Sequence, residues 1–147
     1  MAENKRAVLP KDLMLGDWLM IGGLPFRVAQ VTTPTIAGDL YDGFILEDGT
    51  EDAGDAIPIT RHILEKIGFR QDAFTTMVLV TDKPERRVTY DCRLKTIVIT
   101  CYDSTYGRRK RHTMLSLLCD DVHTLQHCFA ICGIRVVFEL KPEDLHG

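Results

Sequence analysis

His123 and His127 stand four residues apart in the segment DDVHTLQHCFAICG. On a helix that spacing puts two imidazoles on one face, where they can share a metal ion. The residues between them are Thr124, Leu125 and Gln126, so the glutamate that a zinc protease uses as its base is missing. Cys119 lies one turn earlier and supplies a third ligand only if the helix begins sooner. Cys128 and Cys132 fall on an apolar stripe roughly opposite the histidines, so the four side chains cannot close one tetrahedron. No Cys-x-x-Cys occurs in the chain. The expectation is that the sulfurs of this helix face inward and its imidazoles face water, with no metal and no cofactor; His123 is read as a surface or hydrogen-bonded histidine.

Other chemistries have less to stand on. The two serines, Ser104 and Ser116, sit in a turn and a strand, outside any G-x-S-x-G elbow. A Cys128–His112 pairing is compatible with the sequence, but free cysteines are among the most buried residue types and are read as core. Gly22-Gly23 belongs to a hairpin, not to the strand–helix junction that cradles phosphate. The acids Glu47, Asp48, Glu51, Asp52 and Asp55 do not follow the alternate-oxygen spacing of a calcium loop and read as a solvated loop.

The strongest chemical signal is cationic. Arg108, Arg109, Lys110 and Arg111 follow the turn STYG, and Arg86 with Arg87 falls on a neighbouring strand. Brought together across a sheet, these six cations would contact several phosphates, with Tyr102 or Tyr106 to stack on bases. The competing explanation is a basic hairpin that blunts a sheet edge against aggregation. With 18 Lys and Arg against 21 Asp and Glu the chain carries a net charge of −3, which argues against a dedicated duplex-DNA binder.

These residues must be positioned by ordinary globular structure. The 147 residues are 45% hydrophobic, enough for a packed core in one domain or two small units. No run reaches the apolar length of a membrane span, and no apolar stretch follows the basic residues of the start. With five unpaired-looking cysteines, a reducing, cytoplasmic setting is expected.

The fold expected is α+β. Residues 1–10 read as a frayed leader. Residues 11–58 read as a small SH3-like barrel or curved sheet, built on two runs flanking the Gly22-Gly23 turn and a further strand at 40–46. A linking helix is expected within 59–70, from Arg61 to Ile67, with Thr60 as N-cap, Ile59 and Leu64 as a staple, and Gly68 in the left-handed C′ position. Residues 71–141 read as a mainly antiparallel sheet carrying one helix. Its strands are expected at 77–81, on either side of a turn near Cys92–Lys95 (or as one long strand there), and at RRKRHTMLSLL, with the first half exposed. The helix follows, capped by Asp120 or Asp121, with Val122, Leu125, Cys128, Phe129 and Cys132 on its stripe. After Gly133 the segment IRVVFEL returns as a strand, and 142–147 form a loose tail.

Three stretches, LMLGDWLMIGGLPFRV, IPITRHILEKIGF and DDVHTLQHCFAICGIRVVFEL, resemble a group of small uncharacterised bacterial (Bacteroidetes-type) proteins, often associated with prophages and mobile elements. The matching residues are Leu13, Gly16, Asp17, Trp18, Arg27 and Val28; Pro58, Thr60, Ile63, Leu64, Glu65, Lys66, Gly68 and Phe69; and Val122, His123, Leu125, Gln126 and Gly133. Asp121 departs from the aromatic that the group carries before Val-His. The resemblance implies relatives and no activity. Within it Trp18, His123 and Gln126 are the interaction candidates, and Leu125 is core. The function expected is a non-enzymatic binding or assembly module acting on a protein partner or on itself. A nucleic-acid binder using the hairpin at 108–112 is the alternative, and a metal-dependent or Cys/His enzyme is a distant third.

Overall fold

The computed structural model describes residues 14, 16–32, 35–36, 39–40, 43–46, 54–105 and 107–146, with the backbone course alone at 30–46, 103–105, 108 and 146. The expectations for residues 1–10, for Glu47, Asp48, Glu51 and Asp52, and for Tyr106 lie outside the described residues. The chain is mixed α+β and clusters into two units. One holds residues 1–58, 121–123 and 140–146; the other holds 59–120 and 124–139.

In the first unit, β1 (Trp18–Ile21) and β2 (Leu24–Thr32) form a hairpin in which Ile21 pairs with Leu24. Gly22 and Gly23 take φ of 59° and 79° between them. A two-residue turn with both φ positive matches the strand twist and is cheapest for glycine. Among the described residues the short β3 (Thr35–Ile36) and β4 (Asp39–Leu40) pair with each other, while β5 (Gly43–Leu46) joins β2 and β6 (Asp55–Ala56) joins β1. The four-stranded sheet therefore runs β5-β2-β1-β6, with β5 and β6 at its edges among the described residues. Of the two forms expected here, barrel or open sheet, the open sheet is found. Its core is Leu19, Val28 and Ala56, with Ile21 and Phe26 packed against it. Gly54 is needed at the approach to β6, because a Cβ there would lie 2.9 Å from a methyl of Leu19.

In the second unit, α1 (Arg61–Lys66) starts where the Thr60 hydroxyl accepts the Ile63 amide at 3.2 Å and stops at Gly68, φ 116°. Five strands follow: β7 (Arg70–Ala73), β8 (Thr76–Asp82), β9 (Glu85–Asp91), β10 (Thr96–Thr105) and β11 (Arg108–Leu118). They form an antiparallel meander in chain order, with β7 and β11 on its edges. The β9–β10 turn sits where Asp91 Oδ1 accepts the amides of Arg93 and Leu94, both at 2.9 Å, a side-chain mimic of a backbone turn.

Register arranges the apolar residues in rows. Met77, Tyr90, Ile97 and Leu117 stand opposite one another across four strands, and so do Leu79, Val88, Ile99 and Leu115. Because side chains alternate faces along a strand, both rows lie on one face, and their members on β8, β9 and β10 are buried. Tyr90 keeps its hydroxyl satisfied there by donating to the Cys119 carbonyl at 2.7 Å. The helix α2 (Val122–Ile131) buries Leu125, Cys128 and Phe129, and the Phe129 ring stacks on Phe69, centroids 6.3 Å apart, and tilts against Phe138.

Three expectations are corrected. Residues 134–140 are not a strand, although Ile134, Phe138 and Leu140 are buried and the residues between them are not. Alternation reports an extended chain with one side covered, whereas a strand also needs a ladder partner. The tail is not loose: residues 142–146 form a 3₁₀ turn in which the buried Asp144 accepts the Lys141 amide at 2.7 Å. And β7 exists, although its sequence RQDA is exposed throughout and carries no periodic signal.

Candidate binding surface

Strand alternation divides the six cations instead of gathering them. Arg86 lies opposite Cys101, which lies opposite His112, one step along from Leu79, Val88, Ile99 and Leu115 on the same face of the sheet. There its Nε donates to the Cys132 carbonyl at 3.0 Å, just past the end of α2. This guanidinium satisfies an orphan carbonyl of the helix terminus. It is committed to the fold.

Arg87 points to the other face, opposite Thr100, and approaches Asp72 at 3.9 Å. Arg109 and Arg111, opposite Ser104 and Tyr102, belong to that same face. Arg109 is held twice: its guanidinium carbon stands 4.1 Å over the Tyr102 ring, and it forms an ion pair with Glu85. Cation–π contact and ion pair together fix the orientation of this charge. Lys110, one residue away, belongs to the opposite face. Lys110 and Arg111 are exposed, and Lys110 stands opposite Asp103 in the register. Arg108 closes the hairpin opposite Thr105, next to Gly107, φ 71°.

The four consecutive basic residues therefore make a cationic edge instead of a cationic face. β11 is 11 residues long and has β10 on one side and no strand on the other among the described residues. Residues 109–114 are all exposed, and beyond them Leu118 is 74% exposed. A register shift between Ile99 and Thr100 places Met114, 41% exposed, as the extra residue of a bulge.

The expected helix chemistry is half corrected. Cys128 and Cys132 are buried, as a stripe of inward thiols requires, and so is Cys119 ahead of the helix, but His123 is buried as well, at 5% exposure, and His127 is half-buried. The imidazole of His123 does not look out at water; its Nδ1 lies 3.4 Å from Asp121 Oδ1. Asp121, Val122 and His123 are buried in succession, which no single helical stripe produces. Among the described residues no group of three or more His, Cys, Asp or Glu is arranged to hold a metal ion. The helix starts at Val122, so Cys119 lies ahead of it. His112 is exposed on β11 while Cys128 is buried in α2. Burial, reinforced by the neighbouring Cys128 thiol, holds the Cys132 thiol above its ordinary value of 9.0, and Arg86 opposes the shift. A thiol so placed stays protonated and is a poor nucleophile. Trp18 and Gln126 are half-buried in their own elements.

The roles of Arg86 and Arg109 were not apparent from residue type. Counting by two from Val88 or Ile99 is the signal that separates them. No helix among the described residues is long and apolar enough to cross a membrane. Comparison with protein-family models, curated proteins and solved structures returns no match.

Proposed function

We propose that the protein is a non-enzymatic binding or assembly module whose working surface is the outer edge of β11. The observation that supports this reading is a long, exposed edge strand with its backbone donors and acceptors unpaired by any described strand. Such an edge is a template for pairing with another chain, which proteins otherwise shorten, bulge or cover. Resemblance of the sequence to mobile-element-associated proteins supports an accessory role in that setting, with a protein partner or a second copy as the occupant.

Site-specific photo-crosslinking tests the reading. A crosslinker placed at Thr113 on β11 yields discrete adducts in an extract of the source cells, and one placed at Gln71 on β7 does not. Equal labelling at the two positions, or a strict monomer with no adduct at Thr113, overturns it.

The nucleic-acid reading keeps one observation in its favour, the exposed Lys110 and Arg111 beside a Tyr102 already in cation–π contact. It is weakened because Arg86, Arg87 and Arg109 face Cys132, Asp72 and Glu85. Oligonucleotide binding that weakens steeply with salt would favour it over the edge.

A further inference from the structure

Resting on the β11 reading, we infer that the occupant of this edge is an extended peptide segment that pairs antiparallel to β11, apolar in its N-terminal half and acidic in its C-terminal half. Every neighbouring pair in the five-stranded sheet is antiparallel, and an added antiparallel strand continues the perpendicular hydrogen bonds that such a ladder favours. β11 itself is polar along its length. It runs from Arg108, Arg109, Lys110, Arg111 and His112 to Met114 and Leu118, the last two exposed. An antiparallel guest must set its C-terminal half against the cations and its N-terminal half against the apolar end. Opposite charges directly across a ladder attract and like charges repel. The basic half therefore disfavours basic strands and favours an acidic one over a neutral one.

The charges also alternate faces, Arg109 and Arg111 on one and Lys110 on the other. A guest with consecutive acids meets a cation on both sides of its pleat, which a flat anionic surface could not do. Arg109 is already engaged by Tyr102 and Glu85, so the acids of the guest meet chiefly Lys110 and Arg111, which are exposed. A second copy of β11 is a poorer guest: antiparallel self-pairing about Thr113 sets Arg109 opposite Leu117 and Lys110 opposite Ser116, with no acid on either strand. The other edge offers no comparable seat, since β7 has four residues, a register shift between Gln71 and Ala73, and Arg61 donating to the Phe74 carbonyl at 2.6 Å just beyond it.

The test uses the full chain and a synthetic peptide with alternating Val and Thr followed by consecutive Glu residues, read by fluorescence anisotropy. The peptide binds, and a peptide of the same composition in reversed order binds about tenfold more weakly, as loss of several cross-strand charge pairs requires. N-methylation of one alternate set of peptide amides abolishes binding and N-methylation of the other set leaves it intact, because only one set faces the ladder. The Lys110→Glu, Arg111→Glu chain, checked for folding by circular dichroism, loses about tenfold in affinity. Equal affinity of forward and reversed peptides, equal effects of the two N-methylation sets, or binding of a mixed single-stranded oligonucleotide in place of the peptide overturns the inference. If the peptide fails while the Thr113 crosslinks persist, the partner chemistry is wrong and the edge reading survives. If both fail, the edge reading falls with it.

Discussion

β7 and β11 face the same hazard, a strand with no partner on one side among the described residues, and they meet it differently. β7 is short and broken by a register shift, and its Gln71 side chain donates to the Ala73 carbonyl at 3.3 Å. Arg61 takes the next carbonyl, that of Phe74. Length, irregularity and local hydrogen bonds leave little ladder to extend. β11 keeps 11 residues, one bulge and a full row of edge groups, and relies on charge over its first half. Geometric blunting leaves little backbone for any guest to pair with, whereas electrostatic blunting repels basic guests and favours acidic ones. On the proposed reading, the contrast is what sets β11 apart as the edge that takes a guest.

Both edges hang on the same two apolar rows, so the largest expected effect is common to them. Ile99→Ala, in the row of Leu79, Val88 and Leu115, is expected to cost about 2–5 kcal/mol in denaturant unfolding. Hydrogen exchange should then rise on β7 and β11 alike; loss confined to one edge would show that the edges do not share a core.

Arg86→Met separates the two edges. It removes the charged donor to the Cys132 carbonyl and should cost about 1.5–2 kcal/mol. Exchange should quicken around Cys101 and His112, in the row of Arg86, before it does around Gln71. A uniform response would deny that Arg86 serves the basic end.

A pH-dependent effect of lesser size involves the same corner. The Cys132 thiol is held up by burial, so the folded state retains its proton where the unfolded chain loses it. Its contribution is full below an ordinary thiol value of 9.0 and is lost as pH rises above that through the folded value. Unfolding midpoints should fall above pH 9.0 in the native chain and fall less in Cys132→Ala.

The smallest expected effect is the most informative about β11. Lys110→Glu with Arg111→Glu should change stability by no more than about 1 kcal/mol, since both side chains are exposed and the main cost is an acid at position 110 opposite Asp103. A large loss would mean that these charges hold the fold and are not kept for a guest.

Much of the scaffold was legible before the structure. Thr60 and Gly68 mark the ends of α1, Gly22-Gly23 marks a hairpin, and the stretch from Val88 to Cys101 shows its turn, because each signal is local. Three features were not legible, for different physical reasons. β7 carries no periodicity, since none of its side chains is buried. Residues 134–140 alternate in burial but lack a strand beside them, and pairing is a non-local property. His123 was placed by a one-stripe reading of its helix, but burial of Asp121, Val122 and His123 in succession shows that this end is covered on more than one side. The cation cluster was visible as composition only. Period-two alternation, applied across the register, divides it into one structural arginine, one paired face and an edge.

Amide hydrogen exchange along β11, with and without the apolar-to-acidic peptide and with β7 as internal reference, shows whether a guest strand adds to this edge. Exchange should slow at every second amide between Arg108 and Leu118 and stay unchanged on Arg70–Ala73. Protection on β7, or none on β11 at saturating peptide, would contradict the placement of the guest on β11.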